Sequence, residues 1–95
     1  MGKYEIMYIL VPTLEDEARK AEIEKLHGIL TEQKCQVKDV REWGLRDFAY
    51  PMKKLTKGYY VVIKVSAEAA GLNEFSRLAK LDNNVVRFLI TVDKD

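Results

Sequence analysis

The sequence predicts an α+β domain with the element order βαββαβ, a four-stranded antiparallel sheet carrying two helices on one face. Three observations predict it. Runs rich in aromatic and β-branched residues lie at 4–11, 37–48, 59–65 and 85–92. Stretches before the second run and before the fourth place apolar residues at i, i+3 and i+7, the spacing of a helix with one buried face. The chain has 95 residues, 47% of them hydrophobic and 33% charged, which fits one small globular core. With no repeat, low-complexity tract or Pro/Gly/Ser-rich linker, residues 1–95 read as a single domain.

The elements follow in order. Tyr4-Glu5-Ile6-Met7-Tyr8-Ile9-Leu10-Val11 is a strand that stops at Pro12. Thr13 offers a hydroxyl cap, and Glu15 and Asp16 put acids in a first helical turn. The helix runs from about 14 to about 33 with Ile23, Leu26 and Leu30 inward. The second strand, Val37 to Phe48, is long and charged, and Gly44 marks a bulge in it. Residues 49–57, with Pro51, are expected to connect it to Tyr59-Tyr60-Val61-Val62-Ile63-Lys64-Val65, the strongest strand signal in the chain. A second helix buries Leu72, Phe75 and Ala79, Asp82-Asn83-Asn84 breaks it, and Val85 to Val92 is the fourth strand. This is a ferredoxin-like plan, which hosts many functions and selects none.

Much chemistry is excluded by counting. One cysteine, Cys35, allows neither an internal disulfide nor a thiolate metal cluster, and it reads as a small apolar filler near a strand start. One histidine, His27, falls among charged helix positions and is expected to be exposed. Glu15, Asp16, Glu17, Glu22 and Glu24 read as a solvated helix face rather than paired catalytic carboxylates. The five glycines are scattered, so there is no phosphate-binding loop. The longest apolar run, Ile6 to Val11, is far too short to span a membrane. The first residues lack the apolar core of a signal peptide, so a reducing, cytosolic setting is expected.

Net charge is only +1, but its distribution is uneven. Residues 1–33 carry −3, residues 34–64 carry +5, and residues 65–95 carry −1. A near-neutral body with a basic middle third suits either a local polyanion contact or a strand pair with ordinary surface lysines. The strand phases add a second signal. Tyr59, Val61, Ile63 and Val65 form the phase that should face the helices, yet the opposite phase stays half apolar. Met7, Ile9, Tyr60 and Val62 should therefore form an apolar patch on the open sheet face. Either a partner protein covers it, leaving Val62 facing water until that partner docks, or it is an ordinary partly apolar surface.

Lys57-Gly58-Tyr59-Tyr60 partly resembles the aromatic motif of RNA-recognition domains, but Tyr59 shares its phase with the core, which argues against base stacking on strand three. The run Gly44-Leu45-Arg46-Asp47-Phe48-Ala49-Tyr50-Pro51-Met52-Lys53-Lys54-Leu55-Thr56-Lys57-Gly58-Tyr59-Tyr60 is more specific. It interleaves cations with aromatics, and it closely resembles the signature of the bacterial small-subunit ribosomal protein six family. The resemblance covers the whole chain, from Lys3-Tyr4-Glu5-Ile6-Met7 to Leu81-Asp82-Asn83-Asn84-Val85-Val86-Arg87-Phe88.

That resemblance implies a non-enzymatic structural protein, cytoplasmic and ribosome-associated. It implies binding to the central domain of small-subunit ribosomal RNA together with ribosomal protein eighteen. No cofactor, metal, membrane or small-molecule substrate is implied. The RNA-binding candidates are Lys3, Arg46, Tyr50, Lys53, Lys54, Lys57 and Arg87; the protein-binding candidates are Met7, Ile9, Tyr60 and Val62. Tyr50 serves either the RNA or the packing of the connection. Asp47 stands where the family often has a second basic residue, and the sequence stops at Asp95 where many relatives continue into a tail that can reach the partner. A small ferredoxin-like enzyme and a standalone RNA-recognition module are the rival readings.

Overall fold

The computed structural model describes residues 2–52 and 54–93, with the side chains of 49–52 outside the description. The elements are β1 (Gly2–Leu10), α1 (Asp16–Glu32), β2 (Gln36–Met52), β3 (Leu55–Ala67), α2 (Ala69–Leu81) and β4 (Val85–Val92). All strand pairs are antiparallel, in the order β2-β3-β1-β4. The expected fold class is the observed one.

One face of the sheet carries the main core. Ile6, Tyr8 and Leu10 of β1 and Val61, Ile63, Val65 and Ala67 of β3 pack against Leu26 and Leu30 of α1 and Leu72, Phe75 and Ala79 of α2. The odd-numbered phase of β3 and the even-numbered phase of β1 thus face the helices, as the alternation requires. Cys35 is buried in this core as a filler.

Four local expectations need correcting. The connection expected at 49–57 is largely strand: β2 continues to Met52 and pairs with Leu55, so a tight hairpin replaces a loop. The ladder is interrupted between Asp47 and Met52, where five steps along β2 span only two along β3, and resumes at the Met52–Leu55 pair. The N-cap of α1 is Glu15, without a side-chain bond, and not Thr13; Asp16 and Glu17 in the first turn favour that end through the helix dipole. His27 is half-buried, its Nε2 2.9 Å from the Tyr8 hydroxyl, and burial pushes its pKa down. Glu22 is not on the solvated face: it is 6% exposed, packed under the α2–β4 turn, with Asn84 Nδ2 donating to its Oε1 at 3.3 Å.

Candidate interface on the open sheet face

Pairing register arranges the open face as rows running across the sheet. Directly opposed positions on adjacent antiparallel strands share a face, so each row can be read from the partners. The central row is Arg41, Val62, Met7 and Leu89, from β2 to β4. The next row towards the hairpin is Gly44, Tyr60, Ile9 and Arg87, and beyond it Arg46 faces Gly58. In the other direction come Asp39, Lys64, Glu5 and Thr91, and then Gln36, Ser66 and Lys3. The face therefore has an apolar middle with arginines on both margins and a mixed-charge end.

Met7, Ile9, Tyr60 and Val62 are brought together as expected, but their exposure is not. Val62 is 6% exposed and Ile9 only 2%. The cause is a small second apolar layer built on this face. Trp43 stacks on Tyr60 with ring centroids 6.5 Å apart and planes 9° from parallel. Phe48 leans on Tyr60 at a tilt, with ring centroids 6.2 Å apart. Gly58 makes the close packing there workable: a Cβ at that position would collide with Ile9 Cγ2 and stand 2.9 Å from Phe48 Cζ. The expectation that Val62 faces water in the free protein is thus corrected. Its phase is right, but between Met7 and Arg41 it is buried in the free protein.

The cations are spread rather than clustered. Arg46 lies on the open face beside the aromatic layer, its guanidinium 5.8 Å from the Trp43 ring centroid. Arg87 lies on the same face on β4, roughly 16 Å away across three strand spacings and one row along. Lys57 pairs with Asp47, so it points to the opposite face of the hairpin from Arg46. Lys54 is exposed at the hairpin turn, in a left-handed conformation with φ 65°. Lys3 sits six residues along β1 from Ile9, roughly 20 Å distant. Lys53 and the Tyr50 side chain lie outside the described residues.

Three participants were missed by sequence reasoning: Arg41, Leu89 and the outward placement of Trp43. Alternation along β4 would have paired Leu89 with Arg87. On β2 the bulge between Glu42 and Gly44 shifts the phase, so simple alternation misplaces everything on one side of it. The helix-facing partner of this region is closed. The Tyr59 hydroxyl donates to Glu42 Oε1 at 2.7 Å, and the Arg19 guanidinium lies 4.3 Å over the Tyr59 ring. Burial, and then the bond to Glu42, pushes the Tyr59 hydroxyl up in pKa. Among the described residues no group of three or more His, Cys, Asp or Glu side chains gathers as metal ligands would, and no helix is long and apolar enough to cross a membrane.

The family model for ribosomal protein S6 matches residues 3–92. The chain belongs to the ribosomal protein S6 family. Among its relatives, the small ribosomal subunit protein bS6 of Halalkalibacterium halodurans is 47% identical over 95 residues, covering the whole of both chains. The crystal structure of 30S ribosomal protein S6 from Thermotoga maritima superposes with a TM-score of 0.92 at 28% identity, covering 97% of this chain and 87% of that one. Members of the family are small-subunit ribosomal proteins, and the fold, the signature run and the whole-chain match agree on membership.

Proposed function

We propose that this protein is a non-catalytic structural constituent of the small ribosomal subunit, cytoplasmic and ribosome-associated. In this reading it binds the central domain of small-subunit ribosomal RNA jointly with ribosomal protein eighteen. Met7 and Tyr60 contribute to the protein contact, and the covered Ile9 and Val62 form the floor of that face. Lys3, Arg46, Tyr50, Lys53, Lys54, Lys57 and Arg87 contribute to the RNA contact.

The observation that carries the reading is the open face itself. A ferredoxin-like sheet with helices on one side leaves the other side bare, and here that side holds an apolar middle edged by Arg41, Arg46 and Arg87. Apolar centre with cationic margin is the surface chemistry expected where a protein and a nucleic acid meet the same domain. The hairpin adds Lys54 at its turn and Lys57 on its far side, so its end can meet phosphates on more than one side.

The test is salt dependence. Replacing Lys53, Lys54 and Lys57 together with alanine should weaken binding to a central-domain RNA fragment and flatten the log–log salt slope by up to about three units. Thermal unfolding should barely move, because exposed cations contribute little stability. An unchanged slope removes the hairpin end from the phosphate contact.

A further inference from the structure

We propose that Trp43 is a stacking platform for one unpaired RNA base, with Arg46 beside it available to the phosphate of the same nucleotide. The inference rests on the RNA-binding reading above and names the contact within it.

The backbone is built to present this side chain. Trp43 is the extra residue of the bulge between Glu42, which pairs with Val61, and Gly44, which pairs with Tyr60. Gly44 takes φ +86°, a conformation that side-chain-bearing residues avoid. A bulge re-aims a side chain out of its regular alternation. Here the result is an indole supported from below by Tyr60, in a nearly parallel stack. Two stacked rings on a strand have little conformational freedom left to lose on binding.

Despite that support, Trp43 remains 50% exposed, so a large flat aromatic surface stays in water. Tryptophan is ordinarily buried over most of its area. Arg46, at 5.8 Å from the ring centroid, stands at the outer limit of a cation–π contact and is exposed. Arg41 lies one row away on the same face. Two nearby carboxylates are engaged: Asp39 holds Arg41 at 3.1 Å, and Glu42 accepts from Tyr59 on the opposite face; Asp47, next to Arg46, lies on that opposite face too. A flat aromatic with the Arg46 guanidinium beside it matches a polyanion with exposed π-faces. Single-stranded RNA provides both; a duplex hides its base faces, and an apolar protein tip would leave Arg46 unanswered.

This platform differs from the stacking site of RNA-recognition domains. The strand-three residue that would serve there, Tyr59, is turned to the helix side and engaged with Glu42 and Arg19.

Trp43 is the only tryptophan, so 5-fluorotryptophan labels one site. The labelled chain is mixed with unlabelled ribosomal protein eighteen and then titrated with a central-domain ribosomal RNA fragment. The RNA should shift the fluorine resonance upfield through the ring current of the stacked base. Trp43→Ala should weaken RNA binding roughly tenfold. It should leave the log–log salt slope unchanged, because stacking releases no counterion, whereas Arg46→Ala should flatten it by about one unit. Trp43→Phe keeps an aromatic on Tyr60 and should lose less affinity, which guards against a folding artefact. An RNA that binds without moving the resonance, or a Trp43→Phe and Trp43→Ala pair with unchanged affinity, overturns the proposal while sparing the RNA-binding reading. A resonance that moves only on adding ribosomal protein eighteen makes Trp43 a protein contact and overturns it too. Absence of any RNA binding overturns both readings together.

Discussion

Replacing Val62 tests whether the open face is a packed layer in its own right. Val62 is 6% exposed and sits between Arg41 and Met7. Val62→Ala removes two methyl-sized groups from a covered site, about 1.6 kcal/mol of transfer free energy. Incomplete collapse of the remaining space brings the cost to about 2 kcal/mol. For a domain of this size that lowers the melting temperature by roughly 10 °C. Val62→Asp loses the same contacts and also desolvates a carboxylate; Arg41, now held by Asp39 at 3.1 Å, offsets part of that. A total of about 3–4 kcal/mol is a large share of ordinary domain stability, so this variant cannot separate folding from docking. Leu89→Asp can, because Leu89 occupies the same row but is 43% exposed. Urea and thermal unfolding, paired with capture of ribosomal protein eighteen, decide the matter. Val62→Ala melting with the parent would show that the layer is not packed. Leu89→Asp that folds and captures the partner normally would remove the open face from the protein contact.

Three further perturbations follow. Burial, and then a hydrogen bond with Asp82, raises the pKa of Glu22 above its ordinary 4.5. The stability this contributes is complete below the unfolded value and lost as pH rises through the folded one; urea midpoints of Glu22→Gln should lack that decline, and a parent with no Glu22-dependent decline refutes the assignment. His27 is held below 6.5 by burial, so its share of stability is present above 6.5 and lost as pH falls through the folded value; its NMR titration midpoint should lie under 6.5, and Tyr8→Phe should cost about 1 kcal/mol through the lost 2.9 Å contact. Gly44→Ala should cost about 1 kcal/mol from backbone strain alone, since nothing lies within 4 Å of an added Cβ. The same variant should disturb the near-ultraviolet circular dichroism of Trp43, and an unchanged spectrum would mean the bulge does not orient the indole.

Strand identity was legible because β1 and β3 are long runs of β-branched and aromatic residues, and the phase of β3 because Tyr59, Val61, Ile63 and Val65 form an uninterrupted apolar row. The bulge was legible as a glycine inside a strand pattern, but its effect on facing was not, because the phase shift depends on which partner residue is skipped. Lys57 and Arg46 looked like one patch in the sequence and lie on opposite faces, since Asp47 intervenes and the hairpin is strand to its end. Glu22 and His27 were misplaced for one reason. Both sit on α1, whose apolar spacing defines a narrow stripe, while the α2–β4 turn and Tyr8 bury its flanks through contacts 62 and 19 residues away. Local periodicity carries no information about such distant neighbours. The burial of Val62 and Ile9 was hidden likewise, because it depends on neighbours brought in from other strands, Met7 and Arg41 beside Val62 and Tyr60 and Arg87 beside Ile9.

The strand order has a consequence for how the chain assembles. β2 and β3 meet through a turn in which Met52 pairs with Leu55, a closure of three residues. β1 occupies the centre, yet both its neighbours come later, and Leu10 finds its β4 partner only at Val85. Closing that longer loop costs roughly 3 kcal/mol more than closing the hairpin, taking about 0.6 kcal/mol for each doubling of length. The hairpin is therefore the inexpensive early event, and β1 is a strand in waiting, apolar on both edges of its alternation until β3 and β4 arrive. During synthesis such a segment needs shielding, because it is made first and both strands that pair with it are made later.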